Sequence, residues 1–107
     1  MISTHILDTS KGVAATGVSV KLQFQNGSEW KTVGESVTDA DGRIKFETEK
    51  HQGVYQLTFD IEGYYKRHPH AFFFISAPVI FKIDDTSRNY HVPLLLNPFG
   101  YSTYRGT

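Results

Sequence analysis

The sequence predicts an all-β fold, a two-sheet β-sandwich of about eight strands with one short helix. Two observations point there. Apolar residues recur at every second position along most of the chain, which is the period of a half-buried strand. Turn-forming residues interrupt these runs at short intervals. In chain order, the first strand lies in "ISTHIL", with His5 between Thr4 and Ile6. "VSVKLQF" puts Val18, Val20, Leu22 and Phe24 on one face, and "QNGS" then reverses the chain at Asn26-Gly27. "TDADGR" is a tight turn at Asp41-Gly42, from which Arg43 emerges onto the strand "RIKF". Gly53 precedes "YQLTFDI", where Tyr55, Leu57, Phe59 and Ile61 align. The single helix is expected near "EGYYKRH", and Pro69 ends it. "VIFKI" aligns Val79, Phe81 and Ile83 ahead of the turn "DDTSRN". "YHVPLLL" aligns Tyr90, Val92, Leu94 and Leu96, but Pro93 cannot donate to a ladder, so this strand lies at an edge or is distorted. After "NPFG", the ending "YSTYRGT" forms the last strand, because two tyrosines and an arginine are not expected on a frayed tail.

At 107 residues the chain is a single domain, 1–107. Its 11 basic and 11 acidic side chains cancel, which leaves no electrostatic footprint for nucleic acid or an anionic membrane and is compatible with self-association. The absence of cysteine excludes a disulfide scaffold and thiol catalysis. No apolar run approaches a membrane span. "MISTHILDTS" has neither a basic nor an apolar signal region, so a cytoplasmic location is expected, or a periplasmic one after removal of a leader.

A few polar residues break the pattern. His91 faces outward from "YHVPLLL" on the face that also carries Leu95, which suggests an interface or a pocket floor. Taken singly, His5, Arg43 and His91 read first as solvated surface residues. "HPH" at 68–70 sets two histidines on one face of a strand. With no cysteine or acidic cluster to complete the ligand set, no metal site is expected there. Asp39, Asp41, Asp84 and Asp85 read as turn formers, and no nucleophile elbow, phosphate loop or dinucleotide fingerprint is present.

Taken together, "STHILD" (3–8), "TDADGR" (38–43) and "YHVPLLLNPFGYSTYRG" (90–106), in this strand order, resemble the transthyretin-like family over nearly the whole chain. More narrowly they resemble its 5-hydroxyisourate hydrolase branch, because the hormone-carrying branch lacks a YRG-type ending and this histidine-arginine set. The resemblance implies two four-stranded sheets with one short helix, and a homotetramer with sites between dimers. It also implies hydrolysis of 5-hydroxyisourate to 2-oxo-4-hydroxy-4-carboxy-5-ureidoimidazoline in urate degradation. By position, His5, Arg43 and His91 match the family's catalytic set, and Tyr104, Arg105 and Gly106 match its closing tetrapeptide. Thr107 stands where that tetrapeptide ends in serine, which keeps a hydroxyl but adds a methyl. Ile75, Ser76 and Ala77 also depart from the family pattern, at a distance expected to leave the chemistry untouched.

The chemistry so implied needs a base, an oxyanion partner and a holder for a flat polar ring. His91 or His5 would take the proton from water. Arg43 would bond the developing oxyanion, and Tyr104 would offer its hydroxyl and ring to the substrate. Arg105 and Thr107 would lock the tail or orient a histidine. Water as nucleophile requires no cofactor. The alternative is a non-catalytic transthyretin-like carrier of a small ligand, which would have no need of this polar set. A structural β-sandwich is the third reading.

Overall fold

Strand β1 (Ile2–Asp8) occupies the middle of one sheet and decides how the rest is arranged around it. The computed structural model describes every residue from Met1 to Thr107. The strands that follow are β2 (Val13–Ala14), β3 (Ser19–Asn26), β4 (Glu29–Val37), β5 (Arg43–Phe46) and β6 (Gly53–Asp60). Helix α1 (Ile61–Arg67) precedes β7 (Ser76–Ile83), β8 (Tyr90–His91), β9 (Leu94–Asn97) and β10 (Gly100–Thr103).

One sheet is four-stranded in the order β4-β3-β6-β7. The other contains six strand segments, which run in four lanes. Met1, Ser3 and Thr9 use their carbonyls or amides on the segment 90–96, whereas Ile6 bonds Gly42 and Ala15 on the opposite edge. So β8 and β9 share one flank of β1, and β5 and β2 share the other. The parallel register runs from Ile2 opposite Tyr90 to Ile6 opposite Leu94 without a shift, so β8 and β9 are one strand interrupted at Val92 and Pro93. Proline has no amide hydrogen to contribute at that point. The expected two four-stranded sheets are present in this form, and the break at Pro93 raises the number of segments.

The alternation read from the sequence is the burial pattern found. Ile2, Ile6, Val20, Leu22, Leu57, Phe59, Leu94 and Leu96 are all buried between the sheets. Strand β4 is different. Its sequence "EWKTVGESV" shows no alternation, and its residues are exposed or half-buried. It is a strand because β3 supplies its ladder from Ser19 opposite Val37 to Asn26 opposite Glu29, across the Asn26-Gly27 turn. Ile61, aligned by period with the strand before it, instead opens the helix. Asp60 caps that helix by accepting from the Gly63 amide at 3.0 Å, which ends the strand there and leaves Ile61 buried as the first helical residue. The helix ends at Arg67, with Pro69 just beyond it.

Candidate functional site

The outer face of the β1 sheet collects the polar residues that alternation pushes out of the core. Ile2, Thr4 and Ile6 point inward, so Ser3 and His5 point outward. In β5 the inward residues are Ile44 and Phe46 and the outward ones Arg43 and Lys45. In β8 Tyr90 is buried and His91 is half-buried. The registers then form rows. Lys45, Ser3 and His91 lie side by side across three lanes, with Gly106 on the far side of His91. Arg43 faces His5 in the next row. Cross-strand neighbours in such rows have Cβ atoms about 5 Å apart, close enough to interact directly.

Arg43 is held from below. The Asp39 carboxylate accepts from the amides of Arg43 at 3.0 Å and Asp41 at 2.9 Å, and these bonds hold it below the usual carboxylate range. Gly42 has φ +72°, and its carbonyl accepts from the Ile6 amide at 2.8 Å. A Cβ at Gly42 would lie 2.6 Å from the Ile6 carbonyl oxygen, so the turn nests against β1 only with glycine there.

The tail is tied in by one continuous register. β10 pairs antiparallel with β9 up to Thr103 opposite Leu94, and Gly106 then faces His91. Tyr104 and Arg105 span the gap across from Val92 and Pro93, and the Gly106 amide donates to the His91 carbonyl at 2.8 Å. Arg105 places its guanidinium 4.9 Å from the centroid of the Tyr90 ring, a cation–π contact that locks the tail against β8.

Arg43, His91 and Thr107 line one concavity of about 490 Å³, together with Ser3, Lys45 and Arg88. No aspartate or glutamate side chain lines it, so the surface is electropositive. Tyr104 and Arg105 do not join this wall. They line a smaller cleft of about 150 Å³ on the other side of His91, and Tyr104 is 57% exposed. His5 is half-buried beside Arg43. Burial first, then the positive charges of Arg43 and His5, hold the His91 ring below the ordinary histidine value. Ser3 Oγ lies 2.8 Å from His91 Nδ1. Reading the sequence by residue type passed over Ser3 and Lys45, although the period of two from His5 and Arg43 puts them on the same face. Arg88 sits on a turn, where no periodicity could mark it.

His68 and His70 diverge: His68 packs on the Tyr64 ring at 4.6 Å, and His70 Nδ1 lies 2.8 Å from the Ala71 carbonyl.

The sequence profile of the HIUase/Transthyretin family matches residues 2–106. The chain belongs to that family. Within it, the chain is 41% identical over 115 residues to the 5-hydroxyisourate hydrolase of Halalkalibacterium halodurans, covering 99% of this chain and 97% of that protein. The structure of Klebsiella pneumoniae 5-hydroxyisourate hydrolase superposes with a TM-score of 0.88 at 37% identity, covering 99% and 98% of the two chains. Sea bream transthyretin in complex with thyroxine superposes with a TM-score of 0.92 at 32% identity, covering 99% and 94%. Backbone shape therefore does not separate the branches of the HIUase/Transthyretin family. The outward row of side chains on the β1 sheet has to do so.

Proposed function

We propose that this chain hydrolyses 5-hydroxyisourate to 2-oxo-4-hydroxy-4-carboxy-5-ureidoimidazoline, with His91 as general base and Arg43 as the oxyanion partner. The observation that carries this reading is the convergence of His91 and Arg43 on one electropositive concavity without a carboxylate side chain in its wall. A neutral imidazole is what a base needs, and burial, with the neighbouring positive charges, favours that form. His91 takes a proton from water as its oxygen attacks the ring carbonyl. Arg43 bonds the oxyanion that forms, and the proton passes to the ring nitrogen as its bond to that carbon breaks. The product carries a carboxylate where the substrate had an acyl carbon, and the cationic wall formed by Arg43, Lys45 and Arg88 suits it. His5 lies opposite Arg43 in the antiparallel register, in the row next to Ser3 and His91. Arg105 holds the tail, Thr107 closes the concavity beside His91, and Tyr104 awaits a neighbouring surface.

That surface belongs to a homotetramer in this reading, with the sites between dimers. Phe73 is 71% exposed, Phe99 62% and Ile80 60%, apolar side chains that such an assembly would cover. Light scattering after gel filtration should return four times the protomer mass; a monomer would reject the assembly.

The likeness to the thyroxine-bound transthyretin supports a second reading, a small-ligand carrier. One experiment separates the two. 5-Hydroxyisourate is generated from urate with urate oxidase, and its decay is followed with and without the protein. A large acceleration, lost by a factor of about 100 or more in His91→Ala and in Arg43→Ala with folding retained, supports the hydrolase. Decay at the spontaneous rate from folded protein rejects it in favour of the carrier.

A further inference from the structure

No aspartate or glutamate side chain bonds His91, yet its ring is held on both flanks. On the β1 side Ser3 Oγ lies 2.8 Å from Nδ1, in a part-buried position set by the parallel register of Ser3 with His91. The Ser3 carbonyl is taken up by the Val92 amide, which donates to it at 2.9 Å. A serine hydroxyl accepts as well as donates, so Ser3 Oγ can receive the hydrogen of an Nδ1–H imidazole. On the tail side stands Gly106. A Cβ there would lie 2.6 Å from His91 Cδ2, 3.3 Å from its Cγ and 3.1 Å from Pro93 Cγ. Any larger residue would lever the tail off the imidazole or turn the ring away from Ser3. Nε2 makes no hydrogen bond within the protein.

The other charged groups around the ring make no hydrogen bond to it. Arg43 and His5 act on it by charge, Lys45 and Arg88 line the concavity on one side, and Lys82 and Arg105 line the cleft on the other. No aspartate or glutamate lines either space. Histidine bases are usually oriented by a carboxylate or carbonyl on the far nitrogen, and that partner sets the tautomer.

We propose that Ser3 and Gly106 are positioning residues that clamp the His91 imidazole from its two flanks, committing Nδ1–H to Ser3 and leaving the Nε2 lone pair as the only one able to take a proton. The kinetic consequence rests on the hydrolase reading; the tautomer does not.

The test uses the full ¹⁵N-labelled chain, with the His91 ring nitrogens assigned by their loss in His91→Ala. Long-range proton–nitrogen spectra above the His91 titration should show one tautomer, protonated at Nδ1. Ser3→Ala should average the two nitrogen shifts, lower kcat about tenfold and leave KM within about twofold, the size expected for one lost hydrogen bond acting only on the base. Ser3→Thr should restore both the tautomer and the rate. Gly106→Ala should disturb the same two nitrogens; if it unravels the tail, the two Ser3 variants decide the matter alone. A wild-type spectrum protonated at Nε2, or a Ser3→Ala spectrum like the wild type, overturns the clamp. If the wild-type protein leaves 5-hydroxyisourate at its spontaneous decay, the hydrolase reading fails, while the nitrogen spectra still uphold or overturn the clamp.

Discussion

Replacing Tyr64 by Phe should destabilise the protein, whereas replacing Tyr65 by Phe should leave stability unchanged or raise it, although the two tyrosines are adjacent in one helix and equally buried. Tyr64 donates to Asp8 Oδ2 at 2.7 Å, and Asp8 is fully buried at the end of the strand that carries Ser3 and His5. The other carboxylate oxygen, Oδ1, accepts from Ser10 Oγ at 2.6 Å and from the amides of Ser10 at 3.1 Å and Lys11 at 3.2 Å. Oδ2 has Tyr64 alone. A hydrogen bond to a charged group contributes about 1.5–3 kcal/mol, so Tyr64→Phe should cost about 2 kcal/mol. For a domain of this size that corresponds to a fall of roughly 10 °C in Tm. The pH dependence follows from Asp8. Burial pushes its carboxyl up, but the bonds from Ser10, Tyr64 and Lys11 outweigh burial and leave it below the ordinary value of 3.8. A lowered folded value stabilises above 3.8 and loses that stabilisation as pH falls through it, so the Tyr64→Phe penalty is full at neutral pH and shrinks in acid. Tyr65 Oη is buried with no partner, and burial first, then the Asp8 charge, pushes it up to about 12. Removing an unpaired buried hydroxyl should be neutral or should stabilise by about 1 kcal/mol. Urea unfolding at pH 7 and at acid pH, at fixed protomer concentration, measures both variants. A Tyr64→Phe penalty below about 0.5 kcal/mol, or an equal loss in Tyr65→Phe, would refute the reasoning.

Gly42→Ala should cost about 2 kcal/mol or more, because φ of +72° and a contact of 2.6 Å with the Ile6 carbonyl both oppose a side chain. The same unfolding assay checks it, and a neutral result would mean the turn does not nest on β1. The acid limb of kcat/KM for 5-hydroxyisourate should fall below 6.5, since burial and the charges of Arg43 and His5 oppose protonation of His91. Arg43→Gln should move the His91 titration, followed by ring-proton NMR, up toward 6.5; an unmoved titration would deny that Arg43 acts on His91. By the same sign, the folded state binds the His91 proton less readily than the unfolded chain. Stability should therefore decline as pH drops below 6.5 and level off beneath the folded value.

Alternation was enough to place Val18, Val20, Leu22, Leu57, Phe59, Leu94 and Leu96 in the core, because a strand with one dry face must alternate. It could not find β4, whose faces are both partly wet and whose order comes from β3. It also extended a strand through Ile61, since an inward apolar residue is required equally by the last position of a strand and the first turn of a helix. In the site, residue type marked His5, Arg43 and His91, while Ser3 and Lys45 stayed hidden as ordinary strand residues.

The local chemistry of the chain by itself determined which faces are apolar, where turns such as Asp39 to Gly42 fall, and that Pro93 must interrupt a ladder. Those properties depend on neighbours a few residues away and on the period of two. Only the tertiary structure decided that the strand bearing Ser3 runs parallel to the one bearing His91, 88 residues later. Parallel pairing has no hairpin turn to announce it. Burial of Ile2, Thr4 and Ile6 against the opposite sheet then leaves Ser3 and His5 outward, and the pairing sets them beside Arg43, His91 and the returning tail.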